Sequence, residues 1–498
     1  MNINLRRLLA LAFIAGFFIL LPIILNYARG YRFDANKNQM VSTGGISVNS
    51  NPKNAQVFLN GNYEEPNLFE KFLLPFKNFL GMRKMGGTTP AIFQNLIPDE
   101  YNIEVTKDGY YPWQKKINVY AEQVVFAENI NLFLQNPKIE NLATADILLA
   151  KFSPNEDKLI YTTKNEDKWE LYALDLANLE NKLLYKSSYE IEKIVWSNIG
   201  SSLYLKTKNN NEYVFIDTND TTKTFYLKNF TSITNLSLKS TALELTNLKW
   251  DANNSDKLYF QNKNKIYEIN LTTQTVDNFH EFAYQDTKSI ADFFVKDGSI
   301  WAIQLFSEEA ELKKFAQQKT APSTENEISQ TISILPSSNQ YQFVDYKNDL
   351  IAIKNIQSKN IFIINPQINH LERSVIAKFF ANDFVWDNQQ NRILYWDNFE
   401  AGIINLNKND EYAQSYQEVL SRYSQQISGA YWSEDENYVI LGLEKELSAI
   451  EIDNRDKRNI SQITVVNSIN SFDLKNKNIV YLIGKINNVS GIYKIETQ

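Results

Sequence analysis

The chain has 498 residues, with 58 acidic against 51 basic for a net charge of -7, 43% hydrophobic and 13% aromatic side chains, and no cysteine. This is more apolar sequence than one core needs, so several folded units are expected and a mainly disordered chain is excluded. The small, evenly spread charge excludes the clustered basic face that nucleic-acid binding requires, and the lack of cysteine excludes disulfides, thiolate catalysis and cysteine-ligated metal centres.

Between Leu8 and Leu25 no side chain is charged, and a helix continued to Tyr27 approaches, at about 1.5 Å per residue, the roughly 30 Å hydrocarbon core of a bilayer. Residues 1–30 therefore predict a short cytoplasmic tail and one transmembrane helix. An uncleaved anchor is expected, because the run is long for a signal peptide and Asn26 spoils a small-residue cleavage site ending at Ala28. Arg6 and Arg7 precede the run and Arg29, Arg32 and Lys37 come after it, so the flanking charges nearly cancel as evidence for orientation. The N-terminus is placed inside and the bulk outside on the strength of the modules that the helix carries.

Residues 31–43 read as a polar linker. Next come short alternating runs, Ile46 to Ser50 and Gln56 to Leu59, closed by the turn Asn60-Gly61; Thr89 to Phe93, Tyr101 to Val105 and Lys115 to Val119 come later, between Pro- and Gly-containing turns. A small antiparallel sandwich is expected over residues 44–134. Pro52 with Ala55, Asn60-Gly61, Thr89-Pro90, Asn95-Leu96 with Pro98 and Tyr101, and Lys107, Gly109, Tyr110 and Trp113 occur in the order that marks the PEGA domain, which this stretch resembles. Lys53-Asn54 replaces the eponymous Glu-Gly of that pattern. The resemblance implies a surface or cell-envelope protein that contacts envelope components.

An insertion at residues 64–87 departs from that pattern. Phe69, Phe72, Phe76 and Phe79 fall at helical spacing with Leu68, Leu73 and Leu80, interrupted by Pro75 and interleaved with basic residues. A hairpin packing on the sandwich or on the next domain is the first reading, a membrane-surface helix the second.

From residue 135 to 498 a unit of roughly 40–50 residues recurs, the mark of a propeller or solenoid. Units open at Phe152-Ser153-Pro154, Val195-Trp196-Ser197, Lys249-Trp250-Asp251, Asp292-Phe293-Phe294, Phe343-Val344-Asp345, Val385-Trp386-Asp387, Tyr431-Trp432-Ser433 and Ser471-Phe472-Asp473. These residues resemble TolB-type and WD-repeat-like blades of bacterial propellers, whose first turn reads Trp/Phe-Ser-Pro-Asp-Gly. Eight blades are expected. Seven is the alternative if the fourth unit, with its polar excursion over residues 307–330, divides differently. The last unit stops after three strands, so a segment near residues 131–142 is expected to supply the fourth and remove an open edge.

Chemistry is sparse in this sequence. His280 and His370 are the two histidines, and no zinc-protease, nucleophile-elbow or phosphate-loop pattern occurs, so no catalytic residue, cofactor or metal is assigned. The carboxylates Glu156-Asp157, Asp251 with Asp256, and Glu434-Asp435-Glu436 read as turn residues. Trp196, Trp250, Trp386 and Trp432 occupy equivalent positions and read as inter-blade packing, which leaves Trp301 and Trp396 as binding-surface candidates beside the four phenylalanines of the insertion. The expected architecture is an all-β ectodomain behind one transmembrane helix, a PEGA-like β-sandwich and then a β-propeller. The expected function is a non-enzymatic binding or scaffold protein of the bacterial cytoplasmic membrane and cell envelope. Its partners would be the membrane, through Leu8 to Leu25, and an envelope protein or polysaccharide, with no nucleic acid. A propeller lyase or glycosidase using acidic residues in the central funnel is the alternative.

Overall fold

The computed structural model describes residues 3–34, 37–63, 84–85, 87–155, 157–230, 245–262, 265–282, 289–316, 329–338, 340–347, 349–406, 415–475 and 478–498. The insertion phenylalanines Phe69, Phe72, Phe76 and Phe79 lie outside these residues.

A helix runs Ile3–Ala28 with Pro22 inside it. Among the described residues no helix is long and apolar enough to cross a membrane. This corrects the expected transmembrane segment at Leu8 to Leu25, and with it the single-pass placement, N-terminus inside, at a bacterial cytoplasmic membrane and the membrane as partner. The physical reason lies in length and continuity. The charge-free run spans about 27 Å at ~1.5 Å per residue, short of a bilayer core of roughly 30 Å, and Pro22 removes a backbone donor within it.

Tyr31–Asp34 and Gln39–Ser42 pair as an antiparallel hairpin within the stretch expected to be a linker. Two four-stranded sheets come next. One orders Val124–Asn131, Gly44–Asn51, Ala91–Leu96 and Lys84–Met85; the other orders Asn62–Tyr63, Gln56–Leu59, Glu100–Thr106 and Trp113–Asn118. Ile46, Val48, Val57, Ile103, Val105 and Trp113 fill the space between them. The sandwich is not antiparallel throughout, because Val124–Asn131 runs parallel to Gly44–Asn51. Sequence alternation misses this strand: Val124 and Phe126 point outward and are exposed, so both faces carry apolar residues and the period of two disappears.

Among the described residues the remaining strands form eight four-stranded sheets. Their first strands are Leu149–Phe152, Ile191–Trp196, Thr246–Trp250, Ser289–Lys296, Tyr341–Lys347, Asp383–Trp386, Ile427–Trp432 and Ser468–Lys475, which open blades one to eight. In the first seven, four consecutive strands meander outward. The eighth is completed by Ile139–Thr144, antiparallel to Val489–Glu496. The closing strand thus begins later than the expected residues 131–142. The earlier part of that segment is held elsewhere: Asn131 binds blade seven, and the backbone N–H of Leu134 donates to the carbonyl of Thr497 at 3.0 Å.

Second strands are buried over their middle residues, and Tyr438–Leu443 along its whole length, because both faces meet neighbouring blades. Apolar clusters bridge each blade to the next, and the last joins Ile483 and Ile492 of blade eight to Leu159 and Tyr161 of blade one, which closes the ring. The fold is a β-propeller of eight blades preceded by a sandwich.

Candidate functional site

The turn joining first and second strands is built by one recurring device. In blades one, two and seven the hydroxyls of Ser153, Ser197 and Ser433 accept from the backbone N–H five residues on, at 2.9, 3.2 and 3.0 Å; in blade six the carboxylate of Asp387 does so, at 3.0 Å. Short polar side chains that replace a missing backbone partner are what such turns select. Three residues after the Ser or Asp, the chain turns through the left-handed region, with φ +77° at Gly200, +56° at Gln390 and +56° at Glu436. Only the first of these has the residue that the conformation favours.

The tryptophans immediately before these turns tie blade to blade. Trp196 and Trp250 donate their indole N–H to the carbonyls of Lys151 and Val195, at 3.2 and 3.3 Å; Trp432 donates to Val385 at 3.4 Å, and Trp386 to the Asp345 carboxylate at 2.8 Å. Each acceptor sits on the first strand of the preceding blade. With their donors engaged and their rings buried, these residues bind the ring together and offer no stacking platform to a sugar. The turn carboxylates behave similarly: Asp251 accepts from the N–H of Asn253 and Asp435 from Ser433 and Asn437.

On this face the channel widens into a funnel with two cavities that share Asp345 and Lys347. One, of about 850 Å³, lies over blades one to five and includes Lys249 and Lys296. The other, of about 670 Å³, lies over blades five to eight and includes Asp387, Glu434, Glu436 and Asp473. Arg392 answers two of those carboxylates, at 3.1 Å to Asp387 and 2.9 Å to Glu436, while stacking 4.7 Å from the centre of the Trp432 ring. Among the described residues the lining is therefore basic on one side and acidic on the other.

No protein-family model matches the chain, and no curated protein does. Among solved structures it is similar to the Dos1 propeller (12% identity, 72% of this chain and 94% of that one, TM-score 0.44) and to the WD40 domain of SCAP from fission yeast (12%, 72% and 94%, 0.42). The β-propeller domain of Cps50 (Swd1) from Myceliophteria thermophila is similar at 10% identity, 73% and 99% coverage and TM-score 0.37. The propeller assignment rests on the sheet topology of the chain itself, not on these likenesses.

The sandwich docks on the same face of the ring, against blade seven. Its edge strand Trp113–Asn118 turns three groups toward the loop before the outer strand Ile460–Val465. The backbone N–H groups of Gln114 and Lys116 donate to Asn459 and Asp456, at 3.1 and 2.9 Å, and the indole of Trp113 donates to Glu451 at 3.0 Å. Between them Lys115, with a fully buried side chain, lies 3.0 Å from Glu451 and 3.4 Å from Asp453. Burial alone would raise the Asp453 carboxyl, but Arg455 and Lys115 bring it below its ordinary value. A cleft of about 360 Å³ under the sandwich, lined by Trp113, Phe126 and Arg455, shares Glu436 with the acidic cavity.

Deeper in the channel, Asp383 and Asp473 act on Tyr431. Burial first, then these two charges, push the Tyr431 phenol far above its ordinary value, and burial pushes the Asp383 carboxyl up despite the Phe384 N–H and Lys354. On the opposite wall buried Asp292 takes Lys249 at 2.8 Å and the N–H of Phe343 at 2.8 Å. Beside it, burial and then Lys249 and Lys206 push the Lys193 ammonium down.

The binding-surface candidates fall elsewhere. Trp301 is 7% exposed and lies parallel to the Phe294 ring at 5.9 Å, with the Lys314 ammonium 5.1 Å from its own ring centre; Trp396 is equally covered and packs near Tyr431. His280 is buried between Phe282 and Phe315, and His370 lies in the loop after the third strand of blade five. Sequence reasoning passed over Gln390, Lys115 and Glu451. Alignment of the unit turns carries a signal for the first, since Gln390 stands where blade two has Gly200.

Proposed function

We propose that the chain is a non-catalytic interaction platform whose protein partner docks in the funnel on the turn face of the propeller. The observation that carries this reading is the pair of open cavities of opposite charge, sharing Asp345 and Lys347, on the face where the sandwich is also fixed. Complementary charge across such a mouth sets orientation and partner choice more than raw affinity. A polypeptide suits it better than a glycan, because the funnel tryptophans already spend their N–H groups and ring faces on blade packing.

Two further readings belong to the proposal. Residues 44–134 form a PEGA-like module and residues 135–498 the propeller, which is supported by a sandwich core running from Ile46 to Leu132 and by Phe133 packing instead on Tyr438 of blade seven. The lyase or glycosidase alternative draws support from two carboxylates beside a tyrosine, Asp383, Asp473 and Tyr431. A phenol held so far above neutral neither gives nor takes a proton readily, so in this reading the raised carboxyl of Asp383, not Tyr431, would have to serve as the acid.

Photo-crosslinkers placed singly at Asn388 and Asn253, in funnel turns, and at Lys182 and Thr464, on outer strands, test the platform in cells of the source organism. Discrete protein adducts from the funnel positions alone are expected. Adducts confined to the outer strands would overturn the reading.

A further inference from the structure

We propose that the channel wall at the seam of blades two and three holds a carboxylate of the docked polypeptide, a glutamate side chain reaching down from the basic cavity to Lys193; this rests on the funnel reading above. Three observations carry it. The first is the register of blade two. Lys193 and Lys206 are direct partners in the antiparallel pairing of its first two strands, Ile191–Trp196 and Ser202–Thr207, so two ammonium groups stand on one face of the sheet, an arrangement that opposes pairing. Lys206 is answered by Glu192, at 3.3 Å, from the register shift between Ile191 and Lys193.

Second, the neighbouring blades add another ammonium and no spare carboxylate. Lys249 of blade three is held by Asp292 at 2.8 Å, and Asp292 is itself buried and accepts from the backbone N–H groups of Phe293 and Phe343, at 3.0 and 2.8 Å. Lys193 is left exposed to the channel, with no ion pair or hydrogen bond of its ammonium among the described residues. Partial desolvation by the channel walls, then Lys249 and Lys206, push that ammonium down, so the fold keeps a charge there against both desolvation and repulsion. Three ammonium groups meet two carboxylates at the seam, and one further negative charge completes the set. A charge held this way, in a cleft and without a counter-ion in its own chain, marks a site that a ligand completes.

Third, access. Val195 and Lys249 line the basic cavity of about 850 Å³. Lys193 precedes Val195 by two residues with no register shift between them, so it lies on the same side of the strand, ~7 Å deeper. The length of a glutamate and that of the lysine together close this gap, and the carboxylate then meets an ammonium in a partly desolvated wall, where charge-assisted hydrogen bonds are strong. Exposed Val344 on the lining of the same cavity gives the polypeptide an apolar contact that a free carboxylate would not use.

The test uses the full chain with its tryptophans fluorine-labelled, short peptides of valine, glycine and serine carrying one central glutamate, glutamine or phosphoserine, and sodium acetate as the free carboxylate. Saturable shifts of the Trp196 and Trp250 resonances are expected with the glutamate peptide, with those of Trp386 and Trp432 unmoved. Glutamine in the peptide and Lys193→Met in the chain should each weaken binding at least about tenfold, and Lys193→Arg should keep it within about threefold. Lys193→Met should also raise the midpoint of urea unfolding, because it removes the like-charge contact with Lys206; a lysine needed for the fold would lower it. Equal binding of the glutamine peptide, equal shifts at Trp386 and Trp432, or a lowered midpoint in Lys193→Met would overturn the proposal. Acetate saturating at the concentration of the glutamate peptide would overturn the polypeptide as its source, and phosphoserine binding more than about tenfold tighter would overturn the carboxylate. If peptides fail while funnel photo-crosslinks still form, this inference falls and the platform stands; if both fail, the platform falls with it.

Discussion

Replacing Lys115 by methionine should unlatch the sandwich from the propeller while leaving both cores folded. Methionine keeps most of the apolar stem and removes the ammonium that lies 3.0 Å from Glu451 and 3.4 Å from Asp453 and donates at 2.7 Å to the Asp453 carbonyl. Breaking a buried pair by removing one partner costs about 3–5 kcal/mol. Glu451 keeps the indole N–H of Trp113 and the amide of Asn459, and Asp453 keeps Arg455, so the lower end, about 3 kcal/mol or roughly a hundredfold in the opening equilibrium, is expected. The amides of Gln114 and Lys116 are bonded across the interface, to Asn459 and Asp456, and their hydrogen exchange reads its opening directly. Exchange at these two positions should quicken about a hundredfold, with Val105 in the sandwich core unchanged, and Lys115→Met combined with Glu451→Gln should recover part of the loss. Unaltered exchange at Gln114 and Lys116, or loss of the whole sandwich core at once, would refute the reasoning.

Trp250→Phe removes the indole donation to Val195 and should destabilise the propeller by about 1–2 kcal/mol in urea unfolding; an unchanged midpoint would show that the blade-to-blade bond contributes nothing. In Gly491→Ala the new Cβ would stand 2.3 Å from the carbonyl oxygen of Ala143, so the closing strand Ile139–Thr144 must shift. The expected outcomes are faster proteolysis at residues 139–144 and self-association through the uncovered edge of blade eight, both read by size-exclusion chromatography after digestion. Asp383 is exposed as a residue but has its carboxyl raised by partial desolvation at the channel wall, so a small stabilising contribution is present at low pH and lost as pH rises through the folded value. Asp383→Asn should flatten the stability–pH curve above about pH 4 and raise stability at neutral pH, as followed by thermal melts across pH; a curve parallel to the parent's would count against this desolvation.

The propeller was legible because its unit is local and repeated. Trp196, Trp250, Trp386 and Trp432 mark one position in four blades, and the three-stranded last unit calls for a strand from elsewhere. Three features were not legible, each for a physical reason. The strand Val124–Asn131 carries apolar residues on both faces and pairs in parallel with a distant strand, so neither alternation nor a tight turn announces it. The run Leu8 to Leu25 is read from its lack of charge, a composition that a membrane span shares with a helix too short and too interrupted by Pro22 to cross one. Lys115 and Glu451 are more than three hundred residues apart, and a lone lysine in an edge strand reads as solvated until the fold brings blade seven against it. In the funnel, carboxylates were recognised as turn formers, which Asp251 and Asp435 are. That several turns of one side converge with Gln390 on a common cavity depends on blade order around the ring, which no single turn contains.

The decisive measurement is hydrogen exchange on the full chain, free and bound to whatever protein the funnel crosslinkers capture. Protection confined to the first turns of the blades, at residues 197–201, 387–391 and 433–437, with the outer strands Tyr416–Arg422 and Ile460–Val465 unchanged, is the expected result. Protection of the outer strands with those turns unaffected would contradict binding at the funnel.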